Sequence, residues 1–163
     1  MSLFNRRWLL IGILPLLACG FEPIYDSKKV KNSFMGEIDV QVSNGRNAFE
    51  LRERLIARLG ASEANSTYFL KYKTKIKSKS LTLSKNDDVT RYVLQGQTSF
   101  KLVEKSSKKV IYTNTIISNT AYSATAGTYP TAVAERDANV RLSRDMADKI
   151  VTLLLITAED WLE

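Results

Sequence analysis

Histidine is absent from the 163 residues, and cysteine occurs once, at position 19. These two scarcities exclude whole classes of chemistry. Without an imidazole there is no His-based general acid–base catalysis and no Ser-His-Asp hydrolysis. One thiol supports neither a disulfide framework nor a Cys/His metal site. Glycine is sparse, with seven residues scattered along the chain, and they assemble no Gly-rich phosphate loop. Long apolar runs are lacking too. Trp8–Leu17 spans ten residues and is broken by Gly12 and Pro15, whereas a bilayer-crossing helix needs about 20. Asp87-Asp88 is an adjacent acidic pair within Lys85–Asp88, which reads as a turn. Neighbours on a turn point apart and lack a third oxygen ligand, so the pair reads as solvated rather than metal-binding. The residues thus point to no cofactor and to a protein that is not an enzyme; a carboxylate-only or Ser-Lys enzyme stays formally open, but no spacing supports it.

What is present begins with a targeting segment. Arg6 and Arg7 precede the apolar run, and Leu16-Leu17-Ala18-Cys19 closes it. An apolar residue three before the cysteine and a small residue just before it match a lipobox. The thiol accepts a diacylglyceryl group, the small residue lets a signal peptidase close on the bond, and the freed amine can be acylated. Residues 1–18 therefore read as a lipoprotein signal peptide and Cys19 as the lipidation site. An ordinary secretory peptide ending near a cysteine is the plainer alternative. Gly20 stands where many inner-membrane lipoproteins carry Asp, which points to an outer-membrane protein, lipid-anchored on the periplasmic side. Without Arg6 and Arg7 the formal charge falls from +7 to +5. A basic balance favours anionic partners such as phosphorylated lipid or nucleic acid; a periplasmic address argues against nucleic acid.

Residues 19–36 read as an acylated tether, with Pro23 and the polar run Asp26–Lys29. The body, 37–163, reads as one domain. Glu37–Val42 alternates as a half-buried strand, and Ser43-Asn44-Gly45 signals a turn. Asn47–Leu59 carries Ala48, Leu51, Leu55, Ile56 and Leu59 at helical spacing. Asn47 and Glu50 are spaced as a capping box, and Gly60 suits the helix stop. Arg52 falls inside the apolar stripe and needs water or a partner. Thr67–Leu81, Val89–Val103 and Val110–Tyr122 read as three strands of an antiparallel meander joined by polar turns. In the second of these Tyr92, Leu94, Phe100 and Leu102 share a face, and Gly96 between them marks a bulge or a close approach. The inward face of the third is ambiguous. Thr131–Ile156 reads as a long amphipathic helix, with Ala138, Leu142, Met146, Ile150, Leu153 and Leu154 on its apolar side. Strand, helix, three strands, helix is an α+β two-layer sandwich.

The most patterned stretch holds Lys71, Lys73, Lys75, Lys77 and Lys79 at every second position. A period of two sets them on one face of a strand. Five ammonium groups in a row repel one another unless water or an anion screens them. One reading is a solvated face or a guarded edge strand. The other is a docking surface for phosphates, extended by Arg91 and Lys101 if the neighbouring strand presents them on the same side.

Cys19-Gly20-Phe21-Glu22-Pro23-Ile24-Tyr25 resembles the Cys-Gly-Phe-x-Pro-Leu-Tyr start of alphaproteobacterial LptE lipoproteins, which assemble lipopolysaccharide. Ala134-Glu135-Arg136-Asp137-Ala138, followed by Arg141-Leu142, is similar to their final helix. Ile24 in place of leucine is a mild departure. The resemblance implies two helices on one face of a four-stranded, mostly antiparallel sheet. It implies a plug within the outer-membrane β-barrel LptD, and binding of lipopolysaccharide. On that footing Lys71, Lys73, Lys75, Lys77, Arg91 and Lys101 are expected to meet lipid A phosphates. The alternative is a lipoprotein auxiliary subunit of another envelope lipid-transport system.

Overall fold

A computed structural model describes residues 36–82, 90–124 and 127–158. The signal peptide, Cys19, the tether up to residue 35 and the Lys85–Asp88 turn lie outside the described residues. The elements are β1 (Ile38–Val40), α1 (Arg46–Leu59), β2 (Tyr68–Thr82), β3 (Thr90–Glu104), β4 (Val110–Ser123) and α2 (Thr128–Ile156). The sheet runs β1-β2-β3-β4. β1 pairs parallel with β2, with α1 as the crossover, and the longer strands pair antiparallel in the expected meander. This is the α+β fold that the element order predicts.

Both helices lie on one face. Leu70, Tyr72, Leu94, Phe100, Leu102 and Ile116 point from the sheet into a core completed by Leu51 and Leu55 of α1 and by Leu142, Met146, Ile150 and Leu154 of α2. Alternation along the strands then leaves the opposite face to solvent, as an antiparallel sheet permits. Arg52, inside the apolar stripe, satisfies itself by donating from Nε to Val40 O at 3.1 Å. The Tyr72 hydroxyl donates to Ala48 O at 2.9 Å, joining β2 to α1. Burial pushes that phenol above its ordinary pKa, although Arg52 pulls it the other way. Between the helices Arg54 grips Asp148 with both Nε and Nη2, at 3.0 and 2.9 Å, and Arg58 adds a third contact at 3.4 Å.

The element ends differ from the sequence reading for local reasons. β1 is shorter than Glu37–Val42, because the chain leaves the sheet and Val42 is 79% exposed. α1 begins at Arg46, so Asn47 lies inside its first turn. The expected capping box gives way to Gly45, which caps with its backbone at φ 104° and without a side-chain bond. Its carbonyl accepts from Phe49 N at 3.1 Å. α2 begins at Thr128, three residues before the expected start. Pro130 is tolerated there because a first-turn residue needs no amide donor. On β4 the inward side reads Ile116 and Ser118, both buried. Ser118 is the polar residue that obscures the pattern, and it is satisfied by α2: its hydroxyl donates to Asp145 and receives Lys149 Nζ at 3.1 Å.

Candidate functional site: the open face of the sheet

Three long strands with a period of two decide what the uncovered face carries. On β2 it carries Lys71, Lys73, Lys75, Lys77 and Lys79, all exposed. Register then fixes the neighbours. Lys71 stands opposite Lys101, Lys73 opposite Ser99, Lys75 opposite Gln97, Lys77 opposite Gln95 and Leu81 opposite Arg91. Directly opposed residues have the same facing, so Arg91 and Lys101 share the side of the ladder, and both are exposed. The six sequence-predicted candidates on the body therefore lie on one surface. Cys19 lies outside the described residues.

The electrostatics follow from composition. Residues 71–81 and 91–101 contain no Asp or Glu, so no carboxylate of β2 or β3 stands among these cations. Lys71 beside Lys101 is a like-charge cross-strand pair, which is unfavourable at close range. A bound anion relieves that repulsion. Between Lys73, Lys75, Gln97 and Ser99 lies a depression of about 160 Å³. Two ammonium groups, an amide and a hydroxyl there are donors suited to anionic oxygens. Lysine supplies a point charge on a flexible stem rather than a rigid fork, so the surface suits clustered phosphates without fixing their geometry.

One end of the face is apolar. Phe69 and Val103, 8% and 6% exposed, pair across β2 and β3. Lys71 Nζ lies 4.8 Å and Lys108 Nζ 5.6 Å from the centre of the Phe69 ring. Cation–π attraction turns Lys71 toward the ring, away from Lys73 and the depression. Phe69, Lys108, Gln97 and Ser99 were not among the sequence candidates. Phe69 shares the odd numbering of the ladder, which is the signal that places it there; Lys108 reaches the ring from the β3–β4 turn, which no periodicity reveals. β4 contributes Thr113, Thr115, Ile117 and Asn119 to the same side, so the face divides into a basic half and a neutral half.

Elsewhere the ionisable groups serve packing. On α2 burial works against Asp145, but hydrogen bonds from Ser118 and Lys149 and the Lys149 charge outweigh it and hold the carboxyl below its usual range. Among the described residues no cluster of acidic side chains is arranged to hold a metal, and no helix is long and apolar enough to cross a membrane.

The family model LptE, described as lipopolysaccharide-assembly, matches residues 35–154. The chain is 25% identical over 149 residues to an uncharacterized protein of Rickettsia prowazekii (strain Madrid E), covering 91% of this chain and 94% of that one. Two crystal structures share the fold. One, of a chain assigned as a lipoprotein from Caulobacter crescentus CB15, superposes with a TM-score of 0.68 at 17% identity, over 81% of this chain and 96% of that one. The other, rare lipoprotein B from Shewanella oneidensis, gives 0.56 at 14% identity, over 78% and 98%.

Proposed function

The chain belongs to the lipopolysaccharide-assembly family LptE, and from that membership we propose that it is a non-enzymatic assembly factor of the outer membrane, anchored through lipid on Cys19. In this reading the anchor holds the body at the periplasmic leaflet. The body partners the barrel LptD as a plug, and the basic half of its open sheet face receives the phosphates of lipid A.

The observation that carries the glycolipid contact is the gathering of Lys71, Lys73, Lys75, Lys77, Arg91 and Lys101 on one solvent face to which neither β2 nor β3 contributes a carboxylate. A sheet that needed only solubility would mix both signs there. Family membership and the lipobox support the anchor and the partner; the face supports the ligand.

The test is binding of lipopolysaccharide to the purified chain, with Lys73→Glu/Lys75→Glu as the variant. Both side chains are exposed and remote from the core, so the fold is expected to survive. Affinity should fall by about tenfold or more, since each tenfold step is only about 1.4 kcal/mol. Unchanged affinity would reject the lysine face as the site. Recovery of a large β-barrel with the acylated protein from mild detergent examines the plug role separately. Recovery with a periplasmic lipid carrier in its place would favour a different transport system.

A further inference from the structure

The sheet has two edges, and the sequence treats them differently. Beyond Leu70 β2 has no described strand on its β1 side, and along that stretch it carries the lysine ladder, a guard against unwanted strand pairing. Among the described residues β4 has no strand on its outer side, yet Val110–Ser123 contains no charged residue.

Hydrogen-bond direction identifies which β4 residues face outward. Tyr68 N donates to Glu37 O, and Gln41 N donates to Leu70 O, so even-numbered β2 residues turn their backbone groups toward β1. Odd β2 residues then bond β3, even β3 residues bond β4, and odd β4 residues point away from the sheet. The outward set is Thr113, Thr115, Ile117, Asn119 and Ala121. Two contacts agree: Lys149 Nζ donates to Ile117 O and Arg141 Nη2 to Ala121 O, both at 3.4 Å. The spacing matches, because four strand residues and eight helix residues each span about 12–13 Å. Contacts at 3.4 Å are at the long limit of hydrogen bonding. Each cation also has a carboxylate of its own, Asp145 for Lys149 at 2.9 Å and Asp137 for Arg141. An incoming strand displaces these contacts without stranding a charge.

Beside this edge α2 and β4 border a largely apolar groove of about 380 Å³, lined by Ile116, Ile117, Asp148, Lys149, Thr152 and Leu153. Strand addition draws affinity from main-chain bonds and register from pockets that accept alternate side chains. The β4 edge and its groove offer both.

We propose that the outer edge of β4 is a strand-addition site for an extended segment of another polypeptide, apolar at alternate positions and neutral or acidic overall. Charge selects this occupant. The chain itself is basic, at +7 or, without Arg6 and Arg7, +5, and Lys149 sits at Ile117 in the middle of the edge. A second copy of so basic a chain is repelled as it approaches, whereas a neutral or acidic strand is not. The site is separate from the lysine face and does not rest on glycolipid binding.

The test selects peptides from a displayed random decapeptide library against the full chain in detergent, then uses the retained peptides, synthesised, as probes. Ile117→Pro removes an outward N–H while sparing the β3 ladder, the one kind of sheet position that accepts proline. Ile117→Lys places a guard charge there and reads the same site if the proline variant folds poorly. The expected result is retained peptides with alternating apolar residues, slowed hydrogen exchange at Thr115, Ile117 and Asn119, and binding weakened by about tenfold or more in either variant. Equal binding to wild type and both variants, slowed exchange on β2 instead, or failure to retain any peptide would overturn the proposal. So would self-association of the chain that Ile117→Lys abolishes, since the occupant would then be a second copy.

Discussion

Gly96 lies directly beneath α2. A Cβ built on it would stand 2.6 Å from Met146 Sδ and 3.2 Å from Leu142 Cδ2. Both side chains are buried, 0% and 1% exposed, and Met146 Sδ also receives the Thr98 hydroxyl at 3.3 Å, so the thioether has little room to retreat. Overpacking a filled site costs about 1–3 kcal/mol. Gly96→Val should therefore lower the unfolding free energy by that amount, read as a lower urea midpoint at unchanged slope, and Gly96→Ala by less. Ser143 makes the opposite case. It is fully buried on α2 and its hydroxyl has no hydrogen-bond partner. Removing an unsatisfied hydroxyl and gaining helix propensity act in the same direction, so Ser143→Ala should stabilise by about 0.5–1 kcal/mol in the same titration. The sequence exposed the first site, because a lone glycine between apolar strand positions signals close approach. It did not expose the second, since a serine at helical spacing reads as a surface residue until the packing of α1 is known.

Among the elements, α2 has the most varied attachments, and they differ in their response to acid. Its link to β4 runs through Asp145, which accepts the Ser118 hydroxyl and pairs with Lys149 at 2.9 Å. The carboxyl is held below its ordinary value of 3.8, so its charged form is favoured by folding. Linkage then sets the sign: the contribution is complete above about 3.8 and disappears as pH falls through the lower folded value. Asp145 is half exposed, which keeps the effect modest. Wild type should melt higher than Asp145→Asn at neutral pH, and the gap should close as the solution is acidified below that range. A gap independent of pH would show that the carboxylate charge is not the cause. The same contacts explain what was legible in the elements. Existence and order of every described strand and helix followed from periods of 2 and 3.6. The inward face of β4 did not, because Ser118 is buried against partners 27 and 31 residues away. The helix starts shifted for a similar reason: the glycine backbones at Gly45 and Gly127 took the capping positions, leaving Asn47 and Thr131 inside the first turns.

At the scale of the whole molecule, both helices cover one face of the sheet, and among the described residues no element covers the other. The ladder was readable as a face from its spacing alone, but the addition of Arg91 and Lys101 required the register of β2 on β3, which a single sequence does not fix. Phe69 beside Lys71 was legible from its odd position on β2, whereas Lys108, which reaches the same ring from the β3–β4 turn, was not. Two kinds of binding are physically open to this surface. One is screened attraction between ammonium groups and phosphates; the other is apolar contact of acyl chains with the neutral half around the exposed Ile117. They separate by ionic strength. Exposed charges interact over a Debye length of about 8 Å at physiological salt, shrinking to about 3 Å at 1 M, whereas burial of acyl chains is not weakened by salt. If phosphates dominate, lipopolysaccharide affinity should fall steadily as salt rises, and the Lys73→Glu/Lys75→Glu chain should show both weaker binding and a shallower salt slope. If acyl chains dominate, wild-type affinity should hold as salt rises, and Ile117→Lys should weaken binding at high salt, where charge no longer contributes. Affinity measured by fluorescence anisotropy across a salt series distinguishes them, because the first outcome ties recognition to the basic half of the sheet and the second moves it across to β4.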